Sequence, residues 1–160
     1  MPRLREFYCM DKDEIEILKE NISAVNLSLN RLMYSYDVCI KTYLKDAYSE
    51  EEFIDFEAMT SRYARTTDML ISKVLRSLDI AEYIDGGTVI DAVNNAEKRG
   101  IAEAKDLRKL KNLRNSIAHE YVTENITRFF GDVLEYTPLL KDVINNLNKY
   151  CERYINESNA

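Results

Sequence analysis

The sequence is short of the residues that break helices. It has four glycines, two prolines, one histidine and no tryptophan among 160 residues. So few breakers leave room for only a small number of turns, which argues against a many-stranded fold. With 46% hydrophobic and 31% charged residues, residues 1–160 have the composition of a single helix-rich globular domain.

Cysteine is also scarce, and its spacing excludes two kinds of site. Cys9, Cys39 and Cys151 are odd in number, far apart and not preceded by a secretory segment, so we expect no disulfide framework. No pair of them has zinc-ligand spacing, and one histidine cannot complete a Cys/His site, so we expect neither a metal nor a cofactor. The apolar runs are too short to cross a bilayer. These features predict a protein of the reducing cytoplasm that has no membrane segment.

Positive charge is in deficit overall but concentrated in one segment. The formal net charge of −6 argues against broad electrostatic capture of nucleic acid. Residues 98–114 are nevertheless basic, with only Glu103 and Asp106 as acids. We take four of the lysines and arginines there as candidates for contacting RNA phosphates, with a solvated helix face as the plainer alternative. These candidates are Lys105, Arg108, Lys109 and Lys111.

Apolar residues recur at steps of three and four along the first part of the chain, which predicts a long helix over about 13–46. The stripe comprises Ile15, Leu18, Ile22, Val25, Leu29, Leu32, Tyr36, Cys39 and Tyr43. A helix of this length favours packing along a partner helix, within the chain or across a dimer. Ser49 and Glu52 then form a predicted capping box that begins a second helix ending near Tyr83.

The second half of the chain predicts three further helical regions. Thr88 can cap a short helix that Gly100 ends by adopting a left-handed conformation. The next helix covers about 102–120, and a short loop is expected at 122–125. In the last region, Thr137 as a cap with Pro138 at the first helical position is the economical interpretation, and a kinked continuous helix is the alternative. The predicted fold class is an all-α, up-and-down bundle of five or six helices.

The chemically richest segment is Arg114-Asn115-Ser116-Ile117-Ala118-His119-Glu120-Tyr121. His119 is the sole histidine, and histidine is the side chain whose ordinary pKa lies nearest neutrality, so it is the simplest proton-transfer group. The guanidinium of Arg114 matches phosphate oxygens, and the two groups together suit cleavage of a phosphodiester. Five helical steps turn the chain by about 140°, so these two side chains do not stack directly. A two-fold dimer would supply two copies of each. The plainer alternative for His119 is a helix C-terminal cap.

This segment resembles the R-x4-H-x-Y motif of HepT toxins in the HEPN superfamily. The resemblance extends over about residues 55–155 and includes Asn115 directly after the arginine and the Thr137-Pro138-Leu139-Leu140 segment. It implies an HEPN-like helical bundle, a homodimer with paired motifs lining a cleft, and metal-independent RNA cleavage by attack of the ribose 2′-OH.

The resemblance also implies roles and a partner. Arg114 would clamp the phosphate, His119 would be the general acid/base, Asn115 would position the substrate, and Tyr121 would be the modified site. The partner is a minimal nucleotidyltransferase antitoxin of the MNT type, which would silence a toxin of a type VII-like pair by transferring AMP to the tyrosine. Two alternatives stay open: a non-catalytic HEPN companion that binds nucleotide or substrate for a nucleotidyltransferase, and a helical interaction module in which His119 is structural.

Overall fold

The structure, a computed structural model, describes residues 12–84, 86–120 and 126–156. Within these ranges the chain is all-helical and folds into a bundle of five helical rods, as predicted. The rods are α1 (Lys12–Thr42); α2 (Glu50–Asp68), which continues through a π-helical turn (Met69–Val74) into α3 (Leu75–Ala81); α4 (Val89–Lys98); α5 (Ala104–Glu120); and α6 (Phe130–Asn156), preceded by a 3₁₀ turn (Ile126–Phe129). None of the described helices combines the length and apolar character needed to cross a bilayer.

Helix α1 confirms the predicted apolar stripe but is shorter than predicted. Leu18, Val25 and Leu32 are completely buried along it. It ends at Thr42 because Tyr43 takes the left-handed φ of 59°, while its N–H still donates to the carbonyl of Cys39 at 3.0 Å. Such a conformation stops helix propagation. Tyr43 is therefore largely exposed, contrary to its predicted place in the stripe.

The second rod begins at the predicted capping box. The hydroxyl of Ser49 accepts from the Glu52 N–H at 3.2 Å, and the Ser49 N–H donates to the Glu52 carboxylate at 3.1 Å. The rod ends at Ala81, two residues before the predicted end, and Tyr83 takes a left-handed φ of 64°. Sequence periodicity did not indicate the π-helical turn in the middle of this rod, where one extra residue enters the turn.

Helix α1 and the second rod pack antiparallel along their whole lengths. The hydroxyls of Ser28 and Thr66 lie 2.7 Å apart in the core, and Asn21 donates to Ser77 at 2.6 Å. Contacts that pair early residues of one rod with late residues of the other define the antiparallel arrangement. The expected partner for the α1 stripe is thus supplied within the chain.

Helix α6 is continuous, so the economical interpretation of Thr137 as a helix cap is wrong. Pro138 lies inside the helix and is exposed. Thr137 is completely buried, and its hydroxyl donates to the carbonyl of Val133 at 2.6 Å instead of capping a new start. Burial of apolar residues on both sides of the proline outweighs its local cost to the helix. Those residues are Phe130, Val133, Leu134, Leu140, Val143 and Ile144.

The turn between α4 and α5 follows its predicted pattern. Thr88 and Asp91 form a capping box at the start of α4, and Gly100 takes a φ of 74° just beyond its end. The backbone N–H of Ala104 donates to the Glu97 carboxylate at 2.6 Å. Helix α5 consequently starts at Ala104, two residues after the predicted start.

A buried ionic cluster ties α3, α4 and α6 together at one end of the bundle. Arg99 donates to Asp79 at 2.6 Å and contacts Glu82 at 3.4 Å, and Tyr150 donates to Glu82 at 2.8 Å. Burial by itself would lower the pKa of Arg99, but the hydrogen bond to Asp79 and the charge of Glu82 outweigh it and raise that pKa. Arg99 is therefore a structural residue, although the sequence places it in the basic segment.

Candidate functional site

Helix α5 carries the motif, and its packing fixes which side chains face outward. Leu107, Leu110, Leu113 and Ile117 are buried, as the periodicity predicted. The hydroxyl of Tyr63 in α2 donates to the carbonyl of Leu110 at 3.0 Å. Burial raises the pKa of Tyr63, so this hydroxyl stays protonated and holds α5 against α2.

Arg114 lies at the edge of the buried face and is held by two neighbours. One guanidinium nitrogen, Nη2, is 3.4 Å from a carboxylate oxygen of Asp68 at the end of α2. The other, Nη1, donates to the Asn115 side-chain oxygen at 3.2 Å. About a third of the Arg114 side chain remains exposed. The predicted phosphate clamp thus has an orienting carboxylate that could not be identified from the sequence, because Asp68 is 46 positions away along the chain.

His119 lies in the last turn of α5 and is exposed. It forms no hydrogen bond or ion pair with any other described residue. Helical rotation of about 140° places it on a different side of α5 from Arg114, as expected from their spacing. A single chain therefore presents the imidazole and the guanidinium on separate sides of one helix. A charged imidazole at this position would also interact favourably with the carbonyl end of the helix.

An open cleft of about 540 Å³ runs between α5 and the start of α6. One wall is a stripe of α5 residues spaced three or four apart, and the other belongs to the 3₁₀ turn and the first turns of α6. His119 continues the α5 stripe one turn beyond Ser116. The lining residues are Lys105, Arg108, Lys109, Asn112, Leu113, Ser116, Arg128, Phe129, Asp132 and Tyr136.

Three of the four predicted RNA-binding residues line this cleft. Lys105 pairs with Glu103 at 2.9 Å, and both side chains are mostly exposed. The Lys109 ammonium lies 5.1 Å from the centre of the Tyr136 ring, while Arg108 has no ion pair with any described residue. Lys111 is half-buried on another side of α5 and does not line the cleft.

Arg128 and Tyr136 are among the cleft residues that were not identified from the sequence. Arg128 adds a fourth cation and contacts Glu120 at 3.2 Å, and Tyr136 adds an aromatic wall. Both lie outside the basic segment 98–114, and only the antiparallel packing of α6 on α5 brings them to it. No local signal pointed to this pair, because Arg128 lies in the 3₁₀ turn and Tyr136 lies in α6.

Part of the predicted site lies outside the described residues, namely Tyr121 and the predicted loop at 122–125. Within the ranges that the structure does describe, no group of three or more histidine, cysteine or acidic side chains is arranged to hold a metal ion. Cys39 and Cys151 are buried free thiols, and burial raises the pKa of each. Nothing in their surroundings suggests a nucleophile.

We compared the chain with protein-family models, with curated proteins and with solved structures, and no significant match was found in any of the three. The functional proposal therefore depends on the motif and on the geometry of α5 and the cleft.

Proposed function

We propose that the protein is an HEPN-like, metal-independent endoribonuclease toxin that cleaves single-stranded RNA at the C-terminal end of α5. The observation that carries this proposal is the position of His119. The one imidazole of the chain is exposed beside a cation-lined cleft, and the R-x4-H-x-Y motif surrounds it. An exposed histidine next to phosphate-binding cations is the arrangement that RNA transesterification needs.

The chemistry requires a base, an acid and a cation. The base removes the proton of the ribose 2′-OH, and the oxygen attacks the adjacent phosphorus. The bond from phosphorus to the 5′ oxygen breaks as that oxygen receives a proton, which leaves a 2′,3′-cyclic phosphate and a 5′-OH. His119 serves proton transfer, and Arg114 stabilises the charge on the phosphoryl oxygens. Asn115 and Asp68 orient the guanidinium of Arg114.

The proposal includes a homodimer, because one chain presents only one imidazole and holds Arg114 on another side of α5. A two-fold axis near the end of α5 would bring His119 of one copy near Arg114 of the other and would supply both an acid and a base. Two arginines near one axis repel each other, and a phosphate between them would relieve that repulsion.

Tyr121 is the proposed control point. We propose that an MNT-type nucleotidyltransferase transfers AMP to its hydroxyl and that the adenylate, attached two residues after His119, excludes RNA. Each adenylate adds at least one negative charge at high effective concentration near Arg114. The test is co-expression with such an enzyme, followed by the intact mass and RNase activity of the wild type and of Tyr121→Phe. A wild type that is inhibited but unmodified contradicts this control.

The ribonuclease proposal is tested by the products of the reaction. Purified protein is incubated in EDTA with a single-stranded RNA and with the same strand carrying 2′-deoxyribose throughout. We expect cleavage of the RNA alone, with 2′,3′-cyclic phosphate ends. Cleavage of the deoxy strand, or loss of activity in EDTA with recovery on adding metal, contradicts the mechanism.

The second candidate is a non-catalytic HEPN companion that binds nucleotide or substrate for a nucleotidyltransferase. One observation favours it: within one chain, Arg114 is engaged by Asp68 and lies on a different side of α5 from His119. RNA that binds but stays intact under all conditions, together with a tight complex with the nucleotidyltransferase, would support this function.

A further inference from the structure

The cleft between α5 and α6 extends far beyond the reach of the proposed catalytic groups. Its α5 wall runs from Lys105 to Ser116, about 16 Å at 1.5 Å per residue, and His119 lies past the end of this wall. Most of the cleft therefore cannot contact the scissile phosphate. The distant part of the cleft must therefore bind another part of the ligand. The inference below rests on the proposed function, because it takes that ligand to be RNA.

The end of the cleft nearest His119 is cationic. Arg128 lies there and contacts Glu120 in the last turn of α5 at 3.2 Å, whereas Arg108 lies toward the other end of the α5 stripe, next to Lys109. Among the residues that the structure describes, Asp132 is the only acidic side chain that lines the cleft. Arg108 is exposed and makes no ion pair with any described residue, so its guanidinium is available for the two oxygens of a phosphate.

The deeper end offers an aromatic surface. Tyr136 is half-buried and packs against the core, which fixes the plane of its ring. The ammonium of Lys109 lies 5.1 Å from the ring centre, so a cation accompanies the aromatic group. A fixed ring beside cations is the combination with which proteins bind unpaired bases, since every base has a face that can stack.

Two polar side chains of the cleft are free to contact a base edge. Asn112 and Ser116 are exposed and form no hydrogen bond with any described residue. Asn112 lies one turn from Lys109, next to the level of Tyr136. An amide presents both donors and an acceptor, so it can discriminate between base edges.

We propose that this cleft is a specificity subsite for single-stranded RNA, in which Arg128 and Arg108 bind two different backbone phosphates, Tyr136 stacks on an unpaired base near Arg108 and Asn112 contacts the edge of that base. The stacked base lies near the level of Lys109, about 15 Å along α5 from His119. It is therefore not one of the two bases that flank the cleaved phosphodiester bond. The cleft thus selects where along an unpaired strand the enzyme cuts.

The experiment measures binding without cleavage, so its failure is distinguishable from failure of the ribonuclease proposal. The probe is a fluorescent single-stranded 2′-O-methyl oligoribonucleotide, which has no 2′-OH to attack, and the readout is anisotropy in EDTA at several salt concentrations. We expect Arg108→Gln to weaken binding and to reduce the slope of log K against log salt by about 0.7. The matched control, Arg31→Gln, changes an exposed arginine of α1 outside the cleft. It should leave the affinity and the salt slope unchanged.

The stacking step has its own test. We expect Tyr136→Leu to weaken binding by about 5- to 140-fold, and Tyr136→Phe to bind like the wild type because it keeps the ring. Tyr136→Phe also separates lost stacking from lost folding, since it preserves the packing. An abasic strand of equal length and charge should bind the wild type as weakly as the normal strand binds Tyr136→Leu. Equal binding of abasic and normal strands, or an Arg108→Gln protein that binds like Arg31→Gln, would overturn the subsite.

Asn112→Ala tests the reading of the base edge. The wild type should prefer one of four homopolymeric 2′-O-methyl strands, and the variant should lose that preference while keeping its salt dependence. A variant with the wild-type preference contradicts the role of Asn112. If cleavage is later found absent while these binding results hold, the ribonuclease proposal fails, and the cleft stands as a binding site for unpaired RNA that does not select a cleavage position.

Discussion

Replacing Arg99 with methionine is expected to destabilise the protein severely, because it removes one partner of a buried ion pair. The guanidinium of Arg99 donates to Asp79 at 2.6 Å, and both side chains are less than a tenth exposed. Without Arg99, the Asp79 carboxylate keeps only its hydrogen bond from Asn95 at 3.1 Å. Leaving one buried charge unpaired in this way costs about 3–5 kcal/mol.

For a chain of this size, each kcal/mol lowers the melting temperature by about 2–4 °C, so the expected decrease is about 6–20 °C. The assay is urea and thermal unfolding followed by far-UV circular dichroism. Lys98→Met is the matched control, because Lys98 is the exposed neighbour of Arg99. Its free energy of unfolding should stay within about 0.5 kcal/mol of the wild-type value.

A double variant separates the lost pair from lost packing. One guanidinium nitrogen of Arg99, Nη2, is buried and has no hydrogen-bond partner in the structure, which reduces the net benefit of the ion pair. Replacing both partners, as Asp79→Leu with Arg99→Met, should therefore recover most of the stability lost in the single variant. A single Arg99→Met variant within about 1 kcal/mol of the wild type would refute the reasoning.

Three further predictions follow from other parts of the molecule. Pro138→Ala should stabilise the protein by about 1–3 kcal/mol in urea unfolding, because it adds a helical N–H at an exposed site; destabilisation would contradict an unstrained continuous α6. Cys39 and Cys151 should resist alkylation at neutral pH until the protein unfolds, since burial raises both thiol pKa values, to about 12 and about 11; peptide mass spectrometry checks this, and rapid labelling would contradict their burial. Sedimentation at micromolar concentration should give a dimer, and a strictly monomeric species would contradict the proposed site in which His119 of one copy lies near Arg114 of the other.

Much of the fold was predictable because the relevant signals are local. The capping box of Ser49 and Glu52, the cap at Thr88 and the left-handed Gly100 each involve residues within a few positions of one another. The stripe of α1 needed only helical periodicity. The predicted helix ends were less accurate where a residue other than glycine, such as Tyr43, adopts a left-handed φ.

Pro138 and Arg99 were misjudged because their environment comes from distant parts of the chain. Local rules favour a helix start at Pro138, but tertiary burial of the flanking apolar residues keeps α6 continuous. In the sequence, Arg99 is one cation of a basic segment. Only the packing of α3 against α4 brings Asp79 into an ion pair with it. Composition cannot distinguish a solvated charge from a buried pair.

The candidate site was predictable only where its residues come from one segment of the sequence. Its α5 wall, including Arg108 and Lys109, comes from one segment of sequence. The opposite wall, with Arg128 and Tyr136, depends on how α6 packs. The separation of Arg114 and His119 followed from helical geometry alone.

The most direct test of the proposed function is the initial rate of RNA cleavage in EDTA by the wild type and three variants. We predict that His119→Ala lowers the rate by about 10²- to 10⁴-fold and Arg114→Ala by about 10²- to 10³-fold, since they remove proton transfer and oxyanion stabilisation respectively. Lys141→Ala, which changes an exposed lysine of α6 outside the cleft, should cleave like the wild type. A His119→Ala protein that cleaves RNA at the wild-type rate would contradict the account.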